Sequence, residues 1–594
     1  MIRTPLRPLA SVLRARATGQ NPDAIERENI RQRHEEMRNH SRARAEGRLF
    51  IMAVLFLGGF ATIGARMGIV SASEAMEPRV SYSVSNIQAQ RADIVDRQGR
   101  ILATNLETHA LYAQPPHMID RERVARELVE VFPDLDEERL IKDFTGKRKF
   151  LWIKKKISPE QKQAVHDIGD PGLLFGSREM RLYPNGKLAA HILGGSSFGK
   201  EDVHAAEVIG VAGVEKQFDE ALRDPANGGK ALALSIDLTV QAASERVLYG
   251  GMKLMNAKGA SSVLMDVHTG EIVAMVSLPD FDPNDRPRPP TEGNPSDSVL
   301  FNRSVQGLYE LGSTFKIFAA AQAMELGLAH PETMVDTSGP LTWGKFRIRD
   351  FRNYGSEMTL TKVIAKSSNI GTARIAQLIG AKRQREFLDG LGLLEPTPIE
   401  LVEARGSQPL LPPNWSELST MTISYGHGLS SSPLHLAAAY AAIANGGTQV
   451  LPTILKRDTR QEGPRVMSEK SAQASWKMLR KVVTEGSASF GEVPGYAVGG
   501  KTGTADKPKE RGGGYYDDKV IATFASLFPA HDPKYVLIVS LDEPVETTGP
   551  EPRRTAGWTA VPVAAEMIAR IAPLLGLRPE VEPALMADIT LTSN

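Results

Sequence analysis

The first long apolar run in the chain is Leu49 to Ala65, without a charge, and apolar character resumes through Val70 after a lone Arg66. That run is long enough to cross a bilayer, with Arg66 placed to reach back to the interface. The 48 residues before it show no periodic apolar face and predict a mobile tail with one short helix around Asp23 to Ala45. Between 71 and 235, short extended and helical patches alternate. Ala103–Leu111 reads as a strand, and Asp120–Phe132 places Val124, Leu128 and Val131 on one helical face. From 236 the pattern sharpens. Ala260–Asp266 and Glu271–Ser277 are apolar runs joined by Val267-His268-Thr269-Gly270, a hairpin signal. Lys316–Leu326 and Leu434–Ala444 are Ala-rich helices stopped by Gly327 and by Asn445-Gly446-Gly447. Val520–Phe528 and Tyr535–Leu541 predict two strands joined through Pro529 and Asp532-Pro533. Strands at both ends with helices between them predict an α/β (α+β) sheet assembled from distant segments. The resulting division is a tail (1–48), a transmembrane anchor (49–70), a mixed domain without evident chemistry (71–235), a second domain (236–577) and a flexible end (578–594).

Composition narrows the class. A chain of 594 residues exceeds what one core organises. The formal net charge of +1 gives no phosphate-neutralising excess, which argues against nucleic acid as a partner. With no cysteine, disulfides, thiolate nucleophiles and cysteine metal sites are excluded. Eleven arginines against six acidic residues precede the apolar run, so the N-terminus is expected inside and the remainder outside the membrane. The long polar lead speaks for a retained anchor over a cleaved signal, although Ser71-Ala72-Ser73 is a weak cleavage pattern.

Two motifs compete for the chemistry. Gly495 to Thr502 fits the phosphate-loop pattern G-x-x-x-x-G-K-[ST]. A phosphate loop needs a helix directly after it, whereas Pro508 and Gly512-Gly513-Gly514 come next in this chain. The alternative is a serine acyl-transfer site in three pieces. Ser313-Thr314-Phe315-Lys316 sets a hydroxyl and an amine one helical turn apart, after Gly312. Lys316 can act as base if burial or a neighbouring cation keeps it neutral. Ser367-Ser368-Asn369 offers a proton relay in Ser367 and a peptide-holding amide in Asn369. Lys501-Thr502-Gly503-Thr504 reads as a strand, with both threonines on one face and a glycine where a ligand backbone can approach. Each piece alone is weak; Ser197-Phe198-Gly199-Lys200 repeats the first by chance. Their joint order, with Ser367 54 and Lys501 188 residues after Ser313, is the mark of penicillin-binding proteins and β-lactamases. The 12 histidines contain no H-x-x-x-H pair, and His191 and His427 read as structural; no metal or cofactor is expected.

On these residues the chain resembles a class B penicillin-binding protein, and most closely the septal, cell-division branch. Arg91 to Gly99 resembles the opening motif of the family's non-catalytic pedestal. Arg181-Leu182-Tyr183-Pro184 with Ala189-Ala190-His191 and Gly194 resembles the second, and Gly210 through Gly213-Val214-Glu215 the third. Tyr309-Glu310 and Ser424-Tyr425-Gly426-His427-Gly428 are similar to the septal branch. Leu311, Ala92 and His435 stand where the family commonly has proline, glycine and glutamine. The resemblance implies a D,D-transpeptidase that crosslinks peptidoglycan stem peptides through an ester on Ser313 and is a target of β-lactams. It implies Lys316 as base, Ser367 as proton relay oriented by Lys501, and Asn369 as holder of the donor backbone. Thr502, Gly503 and Thr504 would bind the substrate, and the N–H groups of Ser313 and Thr504 would form the oxyanion hole. It also implies a membrane glycan polymerase and other division proteins as partners. An elongation-type transpeptidase, a carboxypeptidase, a β-lactamase and a mainly structural division scaffold remain alternatives.

Overall fold

The computed structural model describes residues 7–72, 91–201, 206–457, 459–461, 463–509 and 513–580. Residues 73–90, at the head of the 71–235 segment, and 581–594, most of the expected flexible end, lie outside them. By its internal contacts the chain divides into Met1–Ser81 with Arg139–Phe150, and Tyr82–Glu138 with Leu151–Asn594.

In the first unit, α1 (Arg7–Ala17) packs on α2 (Pro22–Ala72). The expected short helix at 23–45 is corrected: α2 runs 51 residues without a break into the apolar stretch. No proline interrupts it after Pro22 at its start, Gly47 is the one glycine of its polar half, and pairs such as Arg31–Glu35 and Arg42–Glu46 support that half. Its part Glu46–Gly68 is a candidate membrane span. At 1.5 Å per residue those 23 residues reach about 34 Å, against a hydrocarbon core of about 30 Å.

The second unit begins with an antiparallel sheet in which Ile101–Ala113 lies between Leu151–Ile157 and Leu173–Leu182. The expected strand at 103–111 is the middle of Ile101–Ala113. The expected helix is Arg121–Val131, capped by the Asp120 carboxylate on the Arg123 N–H, with Val124 and Leu128 buried. Three sequence motifs far apart in the chain converge on one carboxylate. Buried Glu215 accepts Arg91 Nε at 2.7 Å, Arg181 Nε at 2.6 Å and the Tyr183 hydroxyl at 3.3 Å. Arg91 also donates to Asp219 at 2.8 Å and to the carbonyl oxygens of Val208 and Glu215. Removing one member of such a network leaves the others charged and dry. We therefore expect Glu215→Ala, which strands the buried Arg181 guanidinium and leaves Arg91 only Asp219, to cost about 3–5 kcal/mol. Thermal unfolding would show it as a lowered midpoint, and an unchanged midpoint would contradict it.

The same opening motif ties this sheet to later segments of the chain. Asp96 accepts the N–H groups of Gln98, Arg100 and Leu238, while Arg97 reaches Glu271 at 3.0 Å and Arg100 reaches Asp237 at 3.0 Å. The Glu403 carboxylate accepts the Gly213 N–H at 2.9 Å. Beyond residue 235 a five-stranded antiparallel sheet forms the centre. Its strands are β1 (Gly259–Asp266), β2 (Ile272–Leu278), β3 (Gly499–Pro508), β4 (Tyr515–Phe528) and β5 (Tyr535–Asp542), in the order β3-β4-β5-β1-β2. Segments some 230 residues apart thus share one sheet, as the apolar runs predict. Every residue from Val536 to Asp542 is buried, so β5 is covered on both faces. The covers are α3 (Leu238–Leu254), which packs with α9 (Ala560–Leu574), and α7 (Pro433–Ala444) with α8 (Glu469–Thr484). All of α7 is buried, which its Ala-rich sequence allows. His435 in α7 does the work that glutamine would do: its Nδ1 closes a capping box with Ser432, and its Nε2 meets the Glu395 carbonyl at 2.9 Å. Burial holds it neutral, down to about 4. The chain end at 578–580 is not frayed where it is described, since the Glu580 N–H donates to the Gly495 carbonyl at 2.8 Å.

Candidate active site

The Ser313 turn is a 3-10 turn, Gly312–Phe315, leading into α4 (Lys316–Glu325). Gly312 sits at φ +56°, and a Cβ there would fall 2.9 Å from the Thr504 carbonyl oxygen. The nucleophile turn and β3 are therefore packed backbone to backbone. Gly503 completes that contact from the strand side, where a Cβ would meet the Leu311 carbonyl oxygen at 2.2 Å. This corrects one expectation. What approaches Gly503 is the protein's own Leu311 and Thr314, and Gly503 does not line the cleft. The phosphate-loop pattern is likewise spent on β3: Lys501 and Thr502 lie inside a strand that runs on to Pro508 and pairs with β4. The chance repeat at Ser197 lies on strand Gly195–Glu201, paired with Ala206–Ala212.

The two lysines meet on Ser367. That serine ends α5 (Leu360–Lys366) in the left-handed conformation, φ 63°, a strained place for a residue with a side chain. Lys316 Nζ lies 2.5 Å from the Ser367 carbonyl oxygen and 3.1 Å from its Oγ. Lys501 Nζ lies 2.9 Å from the same Oγ, 3.2 Å from the Thr502 carbonyl oxygen and 3.5 Å from Thr502 Oγ1. Both lysines are fully buried. Burial, aided by the Lys501 charge and opposed by Asp350, holds Lys316 well below the ordinary lysine range. Burial lowers Lys501 to about 7.

The acceptor counts fit a lowered Lys316 beside a charged Lys501. Lys501 has three acceptors, which matches an ammonium with three N–H groups. Lys316 has two, which matches a neutral amine whose lone pair stays free. Ser367 Oγ accepts from both, so its lone pairs are used and its own O–H is left to donate. Among the described residues, the Ser313 hydroxyl makes no hydrogen bond; Lys316 is engaged with Ser367, not with Ser313.

These groups open on a cleft of about 650 Å³. Ser313, Ser367, Asn369, Thr502 and Thr504 line it, together with Phe351, Arg352, Tyr354, Phe490 and Trp558. Lys316 and Lys501 stand behind this lining. Thr504 Oγ1 accepts the Ala556 N–H at 3.0 Å, and Thr502 Oγ1 meets Ser487 Oγ at 2.7 Å.

Two supporting residues were not legible as such in the sequence. Asp350 lies in the loop before α5, and its carboxylate takes the Asn369 N–H at 2.5 Å, the Ile370 N–H at 3.0 Å and the Ser368 hydroxyl at 2.6 Å. It caps α6 (Asn369–Ile379) and fixes the Ser-Ser-Asn turn from outside. Asn369 Nδ2 is held by the Arg349 carbonyl at 2.9 Å. On the other side Glu310 accepts the Gly428 N–H at 2.7 Å and the Tyr515 hydroxyl at 3.0 Å, tying β4's first residue to the stretch before Ser313. The acid side of this can be tested by Asp350→Asn. Removing the charge that favours ammonium on Lys316 lowers that amine further, so the rising limb of an acylation–pH profile is expected to move to lower pH. A profile unmoved, or moved upward, would contradict the role.

The comparisons with known proteins agree with this geometry. Residues 260–568 match the model of the penicillin-binding protein transpeptidase domain, and residues 86–233 that of the penicillin-binding protein dimerisation domain. This chain belongs to the class B penicillin-binding proteins. A probable peptidoglycan D,D-transpeptidase FtsI from Caulobacter vibrioides is 34% identical over 93% of both chains. The penicillin-binding protein PbpB of Mycolicibacterium smegmatis is 30% identical over 88% of both. Peptidoglycan D,D-transpeptidase FtsI of Escherichia coli K12 is 28% identical over 78% of this chain and 81% of its own. Penicillin-binding protein 3 of Mycobacterium tuberculosis, solved with aztreonam, superposes with a TM-score of 0.61 at 27% identity, covering 83% of this chain and 98% of its own. These relatives place this penicillin-binding protein with the septal, FtsI-type branch.

Proposed function

We propose that this penicillin-binding protein is a septal peptidoglycan D,D-transpeptidase that works through an ester on Ser313. The observation that carries the reading is Ser367 Oγ held between Lys316 and Lys501, at 3.1 and 2.9 Å, beside a cleft that also exposes Ser313. Neutral Lys316 takes the Ser313 proton as the oxygen attacks the penultimate carbonyl of a stem peptide ending in D-Ala-D-Ala. Ser367, whose only free valence is its O–H, delivers a proton to the departing D-Ala amine. It is replenished through Lys316. The N–H groups of Ser313 and Thr504 hold the developing oxyanion; donors of this kind are typically worth about 3 kcal/mol each. Asn369 holds the donor backbone, and Thr502 and Thr504 bind its terminal carboxylate next to the Lys501 charge. An amine from a neighbouring stem then takes the acyl group and frees Ser313.

One feature favours a transpeptidase over a β-lactamase. Among the described residues, no Asp or Glu lines the cleft. Without a carboxylate at hand to activate water, a β-lactam ester on Ser313 is expected to be long-lived. Incubation with a fluorescent penicillin followed by peptide mapping tests this: the label belongs on the peptide holding Ser313 and stays there. Rapid loss of label to water, or label elsewhere, would replace the reading.

The remaining organisation belongs to the same proposal. The tail at 1–48 faces the cytoplasm, the anchor spans 49–70, and a pedestal (71–235) carries the transpeptidase domain (236–577) outside the membrane at the division site. The Arg excess before the anchor supports that orientation. A membrane glycan polymerase docking on anchor and pedestal is the expected partner; co-purification with and without residues 71–235 would test it.

A further inference from the structure

The segment 345–352, the strand Phe346–Ile348 and the loop after it, carries Lys345, Arg347, Arg349 and Arg352, all exposed, and reaches the cleft at Phe351 and Arg352. Among the described residues, none of the four has a carboxylate within salt-bridge distance. The loop's one acid, Asp350, is turned inward and consumed by Ser368, Asn369 and Ile370. Asp350 therefore pins the loop to α6 while leaving its cations unneutralised. Arg352 is among the residues lining the cleft itself, beside the ring of Phe351, which is 85% exposed. Lys366, also in the lining, donates to the Glu485 carbonyl at 2.5 Å, and the nearby Glu485 carboxylate pairs with Lys481. Among the described residues the cleft thus presents Arg352 and Lys366 in its wall, with Lys501 behind it, and no acid in the lining.

A cleft wall with one sign of charge focuses positive potential and raises the local concentration of anions. The terminal carboxylate of a D-Ala-D-Ala donor is already assigned to Thr502 and Thr504. We infer that Arg352 forms a second carboxylate subsite, which recognises an acidic group of a stem peptide upstream of the reacting D-Ala-D-Ala. The inference rests on the transpeptidase reading for the identity of the ligand. Arg352 has the chemistry for it: a planar fork matches a carboxylate with two parallel N–H···O bonds, and the Phe351 ring, 5.8 Å from the guanidinium carbon, gives its face an apolar neighbour.

The test is binding, so that it stands apart from the reaction. A full-length Ser313→Ala chain is titrated with a fluorescent stem pentapeptide carrying a free acidic side group, and with the same peptide amidated there. The acidic form is expected to bind about tenfold tighter. That preference should shrink to less than about twofold with Arg352→Gln and reverse with Arg352→Glu. It should also fall as salt is raised. A peptide shortened by its last two residues separates the sources. Discrimination confined to the full pentapeptide assigns the subsite to the donor stem, and discrimination by both assigns it to the acceptor stem. Equal binding of acidic and amidated forms, no measurable binding of either, or a preference that survives Arg352→Gln would overturn the inference. Failure of penicillin labelling in the unmodified chain, with the charge preference intact, would instead overturn the transpeptidase reading and leave an anion-binding cleft.

Discussion

A Ser313→Ala chain is expected to form no penicillin adduct and to lose stem-peptide turnover by roughly 10⁴- to 10⁶-fold, the scale on which removal of a serine nucleophile acts. The loss should be chemical and not a failure to fold. Among the described residues the Ser313 hydroxyl has no hydrogen-bond partner to strand, so the substitution leaves no buried group unsatisfied. The thermal midpoint should stay within about 1 °C, as for substitutions away from packed or paired groups. Ser197→Ala supplies the contrast: the same four-residue spacing, but on a strand, with labelling expected to persist. Adducts on Ser313→Ala would place the nucleophile elsewhere and remove the basis of the mechanism. A Ser313→Ala protein that still supported septation would favour the scaffold alternative.

The contrast between those two serines shows what the sequence could and could not convey. Ser313 and Ser197 have the same local spacing to a lysine. Only the order of the Ser-x-x-Lys, Ser-x-Asn and Lys-Thr-Gly pieces separated them, and the structure brings those pieces together. The central strands were legible because β1, β2, β4 and β5 are apolar runs bounded by turn residues. The full length of α2 was not legible because its polar half has no apolar face; its continuity comes from propensity and i,i+4 pairs, which periodicity does not detect. Gly503 reads in sequence as an opening for a ligand. Its neighbour is the nucleophile turn, and a contact between segments nearly 200 residues apart has no local signal. Asp350 and Tyr515 escaped for the same reason. A lone acid in a loop is unremarkable until the fold places it against three donors. The pedestal motifs were recognisable as motifs, yet their purpose, three donors on the single Glu215 carboxylate, became visible only in three dimensions.

Lys316→Met carries the second large effect, and its physics differs from that of Ser313. Methionine fills nearly the same volume as a neutral lysine and needs no hydration. Burying it in place of an amine held far below its ordinary range removes a desolvation cost but takes the donor from the Ser367 carbonyl, so the thermal midpoint is expected to move by no more than a few degrees. The acylation rate, in contrast, should drop by about 10²- to 10⁴-fold, the usual contribution of a positioned base. In the unmodified protein the two lysines titrate as a coupled pair. Acylation needs Lys316 neutral, so kcat/KM rises with pH through its lowered value. It also needs Lys501 charged, so kcat/KM falls again as Lys501 loses its proton near 7. A bound substrate carboxylate beside Lys501 would favour its ammonium form, which moves the falling limb of kcat to higher pH than that of kcat/KM. With Lys316→Met the rising limb should vanish while the falling limb remains. If the rising limb persists, another group takes the Ser313 proton. If both profiles fall at the same pH, the substrate carboxylate does not sit beside Lys501.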